Sequence, residues 1–284
     1  MNANLAGIIA ILLWSISPLL IIGAGTTPPF LLGFLTLSAA TITLFIKYLA
    51  FDRLSIKELF NHSTLAYLIT TYGIAGYMCF WLLAFEHAPA FEANTLNYLW
   101  PILLVGFSMA LKRISFSFLK IFGLCLAFVG VALIFANKQD ASLQIDYSYG
   151  YIFAIIAAFI WASFSIATYS VKFPGYAMAA FMIIPALICL ALHLTLEAAY
   201  TPSWYEIIFI LALGLTRISF SFWDYAMKHA NITLIGSLSY FIPVISTGLL
   251  ILFNHTPRND MILLSALLVL AGCLIVNYKS LDKK

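Results

Sequence analysis

Apolar residues run along this chain in long blocks separated by brief polar breaks, and nearly every block is the length of a membrane crossing. About 20 apolar residues in an α-helix cover a bilayer core of about 30 Å. Reading between charged residues, prolines and polar clusters predicts helices at 4–24, 29–48, 63–85, 91–111, 115–136, 149–171, 174–196, 205–227, 230–253 and 260–278. The two longest connections, Leu49–His62 and Asn137–Ser148, hold about a dozen residues each, so no soluble domain is expected. The pattern predicts an all-α polytopic membrane protein with ten transmembrane helices.

Composition points the same way. Of 284 residues, 63% are hydrophobic and 9% charged, against roughly 25% charged in soluble domains. A water-facing surface cannot be built from this chain, so its solvent is lipid. The first charged side chain is Lys47, and the net charge of +3 includes no basic block suited to nucleic acid. Cys79, Cys125, Cys189 and Cys273 lie in apolar segments without CxxC spacing and read as small core residues. The start, Met1-Asn-Ala-Asn, lacks a basic n-region and a cleavage site, so the first apolar segment is read as a retained helix.

Lysine and arginine sort by side. With ten helices, the side shared by both termini holds Lys47, Arg53, Lys57, Lys112, Arg113, Lys120, Lys172, Lys228, Lys279, Lys283 and Lys284, and the other side only Lys138 and Arg258. Under the positive-inside rule both termini are cytoplasmic, in a multi-pass protein of the cytoplasmic (inner) membrane.

The sequence also resembles itself. A shift of 142 places His87-Ala88 on His229-Ala230, Leu96 on Leu238, Tyr98 on Tyr240, Pro101 on Pro243, Gly106 on Gly248 and Gly130 on Gly272. A slightly larger shift places Ala10 and Trp14 on Ala157 and Trp161. Ala, Leu and Gly match by chance in apolar sequence, but matched Pro, Tyr, His and Trp argue for two five-helix repeats, 1–138 and 147–284. Five is odd, so the second repeat is inverted, which is an architecture of alternating-access transporters.

Polar side chains in lipid must face protein or water. The fourth predicted helix carries Asn94, Asn97, Tyr98 and Pro101 on one face with Trp100 nearby. The ninth carries Gly236, Ser239, Tyr240, Pro243, Ser246 and Thr247; the third Thr70, Gly73, Tyr77 and Trp81; the sixth Trp161, Ser165 and Thr168. Each stripe reads equally as helix-packing glue or as the lining of a pathway. Four together favour a shared polar cavity. Pro18, Pro101, Pro185 and Pro243 sit inside helices and bend them, with the symmetric pair Pro101 and Pro243 marking a gating or kink position. Trp14, Trp100 and Trp161 fall near helix centres rather than at interfaces, and with Tyr77, Tyr98 and Tyr240 they suggest an aromatic-lined pocket. Arg217 lies near mid-membrane with Ser221 and Asp224 on its face. Seven residues separate Arg217 from Asp224 by about 10 Å along a helix, so direct pairing is not expected. A structural ion network and a substrate or coupling role both stay open for these two.

These residues resemble a family. The 5+5 architecture, the tryptophans of the first and sixth helices and the two proline-bearing helices look like the EamA-type branch of the drug/metabolite transporter superfamily. The run Leu5–Ser15, Glu92 followed by Asn97-Tyr98-Leu99-Trp100-Pro101, Phe159–Ala162, His229–Thr233 and Ser239–Pro243 are similar to the bacterial aromatic amino-acid exporters. The resemblance implies efflux of aromatic amino acids or similar amphiphiles through a central cavity, with Trp14, Tyr77, Tyr98, Trp100, Trp161, Ser239 and Tyr240 at the substrate. Arg217 and Asp224 depart from the pattern that the resemblance implies, and they leave room for a more anionic ligand.

The leading expectation is a secondary transporter, without cofactor or metal, working as a monomer or weak dimer on a small-molecule substrate in the lipid bilayer. A nucleoside, a drug-like cation or S-adenosylmethionine are alternative cargoes. An intramembrane enzyme is disfavoured, because the chain has no His-Glu-x-x-His, no Gly-x-Ser-x-Gly and no clustered His/Asp ligands.

Overall fold

The computed structural model describes residues 2–88, 90–136, 148–171, 173–255 and 261–281, and every regular element among them is helical. Lys138, Lys172, Arg258, Lys283 and Lys284 of the charge count lie outside the described residues, as does 137–147 of the second predicted loop.

The chain runs as α1 (Ala3–Gly23), α2 (Pro29–Ile46), α3 (Thr64–His87), α4 (Ala90–Asn97), α5 (Trp100–Ala110), α6 (Phe118–Ala136) and α7 (Ser148–Ser170). It continues through α8 (Gly175–Leu196), α9 (Trp204–Thr216), α10 (Ser219–His229), α11 (Ile232–Leu238), α12 (Phe241–Leu252) and α13 (Met261–Leu281). Among the described residues, seven stretches are long and apolar enough to cross a membrane: α1, Pro29–Phe51, α3, α7, α8, Trp204–His229 and Ile232–Leu252. Phe118–Leu133 and Leu263–Tyr278 are shorter apolar helices, and α4 with α5 forms an interrupted pair at the fourth predicted position.

The interruptions carry information. Burying Asn97 and Tyr98 at a helix break leaves the chain turning through three-residue hydrogen bonds, Tyr98 N–H to Thr95 O and Leu99 N–H to Leu96 O, both 3.1 Å. The bends expected at Pro101 and Pro243 lie two to four residues earlier. A proline ring clashes with the carbonyl four residues before it, here Asn97 and Ser239, so the first half-helix ends there. Pro101 then sits in the first turn of α5, where its missing N–H is harmless. Pro18 stays inside an unbroken α1. The break between α9 and α10 has no proline at all. Arg217 N–H bonds Gly214 O at 3.0 Å and Phe220 N–H bonds Arg217 O at 3.0 Å. The Thr216 hydroxyl donates to Leu213 O at 2.7 Å, competing with the ladder at that turn. α3 carries a wider π-helical turn at Tyr72–Gly76, directly before Tyr77.

Packing interlaces the early and late parts of the chain. α1 lies against α9, α10, α11 and α12, whereas α7 lies against α3, α4 and α5. α2 packs on α8 and α9, and α6 runs along α13 in the most extensive helix contact of the molecule. That last contact depends on small residues, as close helix approach in lipid requires. A Cβ at Gly123 would stand 2.7 Å from Gly272 O, and one at Gly130 would stand 2.9 Å from Ser265 O. The Ser265 hydroxyl donates to the Gly130 carbonyl across the same crossing.

Candidate functional site

A cavity of about 360 Å³ opens among α1, α2, α3, α4, α5, α7, α10 and α12, with the α9–α10 break at its edge. Its wall contains Trp14, Tyr77, Asn94, Asn97, Tyr98, Trp100, Trp161 and Arg217 from the sequence reading, with Ser17, Trp81, Phe220, Ile242 and Ser246 beside them. Ser239, Tyr240, Asp224, Pro101 and Pro243 are not part of this lining. Tyr240 is fully buried and the Ser239 hydroxyl donates to Ile235 O at 2.8 Å.

The four polar stripes divide accordingly. The fourth helix delivers its stripe to the cavity nearly whole, because the break at Tyr98 turns Asn94, Asn97, Tyr98 and Trp100 together. In the other stripes many hydroxyls are consumed by their own helix: Thr70 donates to Ala66 O at 2.7 Å, Ser165 to Trp161 O at 2.7 Å and Thr168 to Ser165 O at 3.1 Å. These serve the helix rather than a ligand.

The wall is backed by a tryptophan cluster. Trp14 meets Trp161 at 5.5 Å and Trp223 at 5.0 Å between ring centroids, and Trp100 meets Trp223 edge-on at 5.5 Å. Trp161 also touches Tyr77 at 5.2 Å and Phe220 at 5.9 Å. Trp223, the centre of the cluster, was not singled out from sequence. It is fully buried, and its indole N–H donates to Ser165 Oγ at 2.9 Å, the acceptor a deep indole needs. One signal was available, since Trp81 falls on Trp223 under the same shift of 142.

Arg217 and Asp224 do not meet as an ion pair. Asp224 accepts from Lys228 Nζ at 2.8 Å, one helical turn away. Among the described residues the ion pairs are Lys47–Asp52, His193–Glu197 and Lys228–Asp224. Arg217 is in none of them, and its Nε has no hydrogen-bond partner. It is also the single charged side chain in the cavity wall. A central Arg costs at least about 2.5–3.5 kcal/mol on insertion scales, so an unpaired one calls for a functional account.

The two ends of the cavity region differ. Toward the α1–α2 turn the lining includes Gly25, Thr27 and Pro29. That turn is strapped to the segment between α8 and α9. Glu197 accepts from Phe30 N–H at 2.7 Å and Leu31 N–H at 3.1 Å, capping a helix whose own N-cap is Pro28. His193 Nδ1 lies 2.8 Å from the same carboxylate. Tyr200 donates to Glu206 at 2.6 Å and lies 3.2 Å from Thr26 Oγ1. Gly25 has φ +65° and a Cβ there would strike Glu206, so only glycine suits the turn. At the other end Lys228 donates to Phe173 O at 3.1 Å, and rings of Phe173, Phe181, Tyr67, His62 and Tyr176 pack in series at 4.7–6.0 Å.

Comparison with known proteins adds a family to this geometry. The model of the EamA-like transporter family matches residues 1–136 and 148–278. The chain is 30% identical over 278 residues to the aromatic amino acid exporter YddG of Ancylobacter novellus, covering 96% of each. It is 28% identical over 292 residues to the exporter of the same name from Escherichia coli K12, again covering 96% of each. A solved crystal structure superposes with a TM-score of 0.91 at 29% identity, covering 99% of this chain and 98% of the other. The chain belongs to the EamA-like transporter family, and it is a multi-pass membrane transporter rather than an enzyme.

Proposed function

We propose that this transporter exports aromatic amino acids or closely similar amphiphiles by alternating access across the cytoplasmic membrane. The observation that carries the reading is the cavity wall, in which Trp14, Tyr77, Tyr98, Trp100 and Trp161 surround a space of about 360 Å³, suited to one amino acid with an indole or phenyl side chain. The relatives' names supply the cargo class and the direction.

The proposed architecture is ten helices in two inverted repeats, 1–138 and 147–284, with both termini cytoplasmic. Several correspondences support it. The contact of Gly123 with Gly272 maps, under the shift of 142, onto that of Ser265 with Gly130. The break at Tyr98 maps onto that at Tyr240, and the π-turn of α3 maps onto the break at Arg217–Ile218. α1 packs on late helices as α7 packs on early ones. With the termini inside, the α1–α2 turn is external, so the cavity reaches outward while the Lys228–Asp224 pair and the Phe173–Phe181 aromatic series close the inner side. Return to the inward state requires those inner contacts to part.

The test is flux in proteoliposomes of the pure protein, with a panel of radiolabelled amino acids. Tryptophan, phenylalanine and tyrosine should exchange faster than leucine and far faster than lysine, which Arg217 repels. Equal flux across the panel, or flux of lysine alone, would refute the aromatic reading.

A further inference from the structure

Resting on the cavity reading above, we infer that Arg217 forms a carboxylate-binding site that admits aromatic monocarboxylates with or without an α-amino group. The helix break places Arg217 where the α9 ladder is interrupted, and its side chain enters the cavity wall with an Nε that no protein acceptor meets. The ionisable groups within electrostatic reach of the guanidinium are Tyr77 and Cys189, neither of which is an anion at neutral pH. A second donor belongs to a residue of the same wall. The indole N–H of Trp81 is buried without a partner, and its ring stacks on Tyr77 at 6.3 Å. Two unmet donors, one of them cationic, with no Asp or Glu in the wall make this a site for an anion.

The same absence bears on the amino group. The acceptors the wall offers are neutral: the amide of Asn94 and Asn97 Oδ1, whose own amide N–H donates to the Tyr77 hydroxyl at 3.1 Å. An ammonium would find neutral amide oxygens, no carboxylate and one like charge, so it adds little to recognition. The carboxylate and the ring suffice, and an aromatic amine lacking the carboxylate is rejected.

Calorimetric binding to the pure protein in lipid nanodiscs tests this with tryptophan, indole-3-propionate, tryptamine and decanoate. Tryptophan and indole-3-propionate should bind wild type at least tenfold more tightly than tryptamine. Arg217→Leu should weaken both by about 10- to 100-fold, with a thermal midpoint equal to or above wild type because an unpaired buried charge is gone. Arg217→Lys should fall between, as a point charge without the planar fork. Equal binding of tryptophan and tryptamine, unchanged by Arg217→Leu, overturns the carboxylate site and leaves the aromatic cavity standing. A lower midpoint in Arg217→Leu with equal loss of all ligands assigns the residue to structure and also overturns it. Arg217-dependent binding of decanoate and no indole keeps the site and removes the aromatic reading. Binding of none of the four removes both.

Discussion

Gly123→Ala probes the α6–α13 crossing most directly. A Cβ at Gly123 would stand 2.7 Å from Gly272 O, 2.7 Å from a Val276 methyl and 3.0 Å from Val276 N. Ordinary contact begins at 3.4 Å, so 3.4 − 2.7 = 0.7 Å must be found. A backbone carbonyl cannot rotate away as a side chain can, so the helices must separate. Separation stretches the Ser265 to Gly130 hydrogen bond and weakens dispersion contacts along the crossing. Overpacking of this kind costs about 1–3 kcal/mol, against a gain of up to about 1 kcal/mol in helix propensity. Gly106→Ala and Gly248→Ala are the internal controls, since nothing lies within 4 Å of a Cβ at either. They should be neutral or slightly stabilising. Cys189 and Cys273 are buried, whereas Cys125 is exposed and Cys79 half-buried, so the rise of a thiol-reactive dye signal above the baseline set by Cys125 and Cys79 reports unfolding in detergent. At about 2–4 °C per kcal/mol, Gly123→Ala should melt several degrees below wild type while the controls do not. A Gly123→Ala protein that melts with wild type would refute the close crossing.

Asp224→Asn and Lys228→Met should each lose stability, by up to about 3–5 kcal/mol for a fully buried pair and less here because Lys228 reaches a partly open edge. The double variant should recover most of the loss, whereas Arg217→Leu should shift the midpoint of Asp224→Asn no more than it shifts that of wild type; the dye melts decide it, and a larger gain in the Asp224→Asn background would contradict the observed pairing. Reporter fusions at residues 140 and 284 should lie on opposite sides of the membrane, and agreement between them would remove the ten-helix topology.

Much of the candidate cavity wall was legible in the sequence, and for a local reason. Asn94, Asn97, Tyr98 and Trp100 share one short segment ending in proline, so their common destination follows from spacing and from what a proline does to the preceding turn. Trp14 and Trp161 stood out because an indole deep in an apolar helix is unusual. By contrast Trp81 was grouped only within a stripe, and Trp223 passed unremarked, although Trp81 lines the cavity and Trp223 packs behind Trp14 and Trp100 in its wall. Ser239 and Tyr240 fall on Asn97 and Tyr98 of the fourth predicted helix, yet the fold gives them to the interior rather than to the cavity.

The division follows from lipid as a solvent. Span length, apolarity and the position of proline are properties of consecutive residues, so the chain's own order determines that it is helical, membrane-embedded and divided into blocks. The inward face of each helix is another matter. A helix apolar all round shows no stripe that says which side meets protein, so rotation is decided by neighbours. The i,i+4 spacing of Asp224 and Lys228 is local and readable, but only the tertiary structure could show that Arg217 ends in a cavity wall without a carboxylate, at a helix break with no proline to announce it. The small-residue crossing of Gly123, Gly130, Ser265 and Gly272 is likewise a fact of two distant segments, visible once they approach to backbone contact.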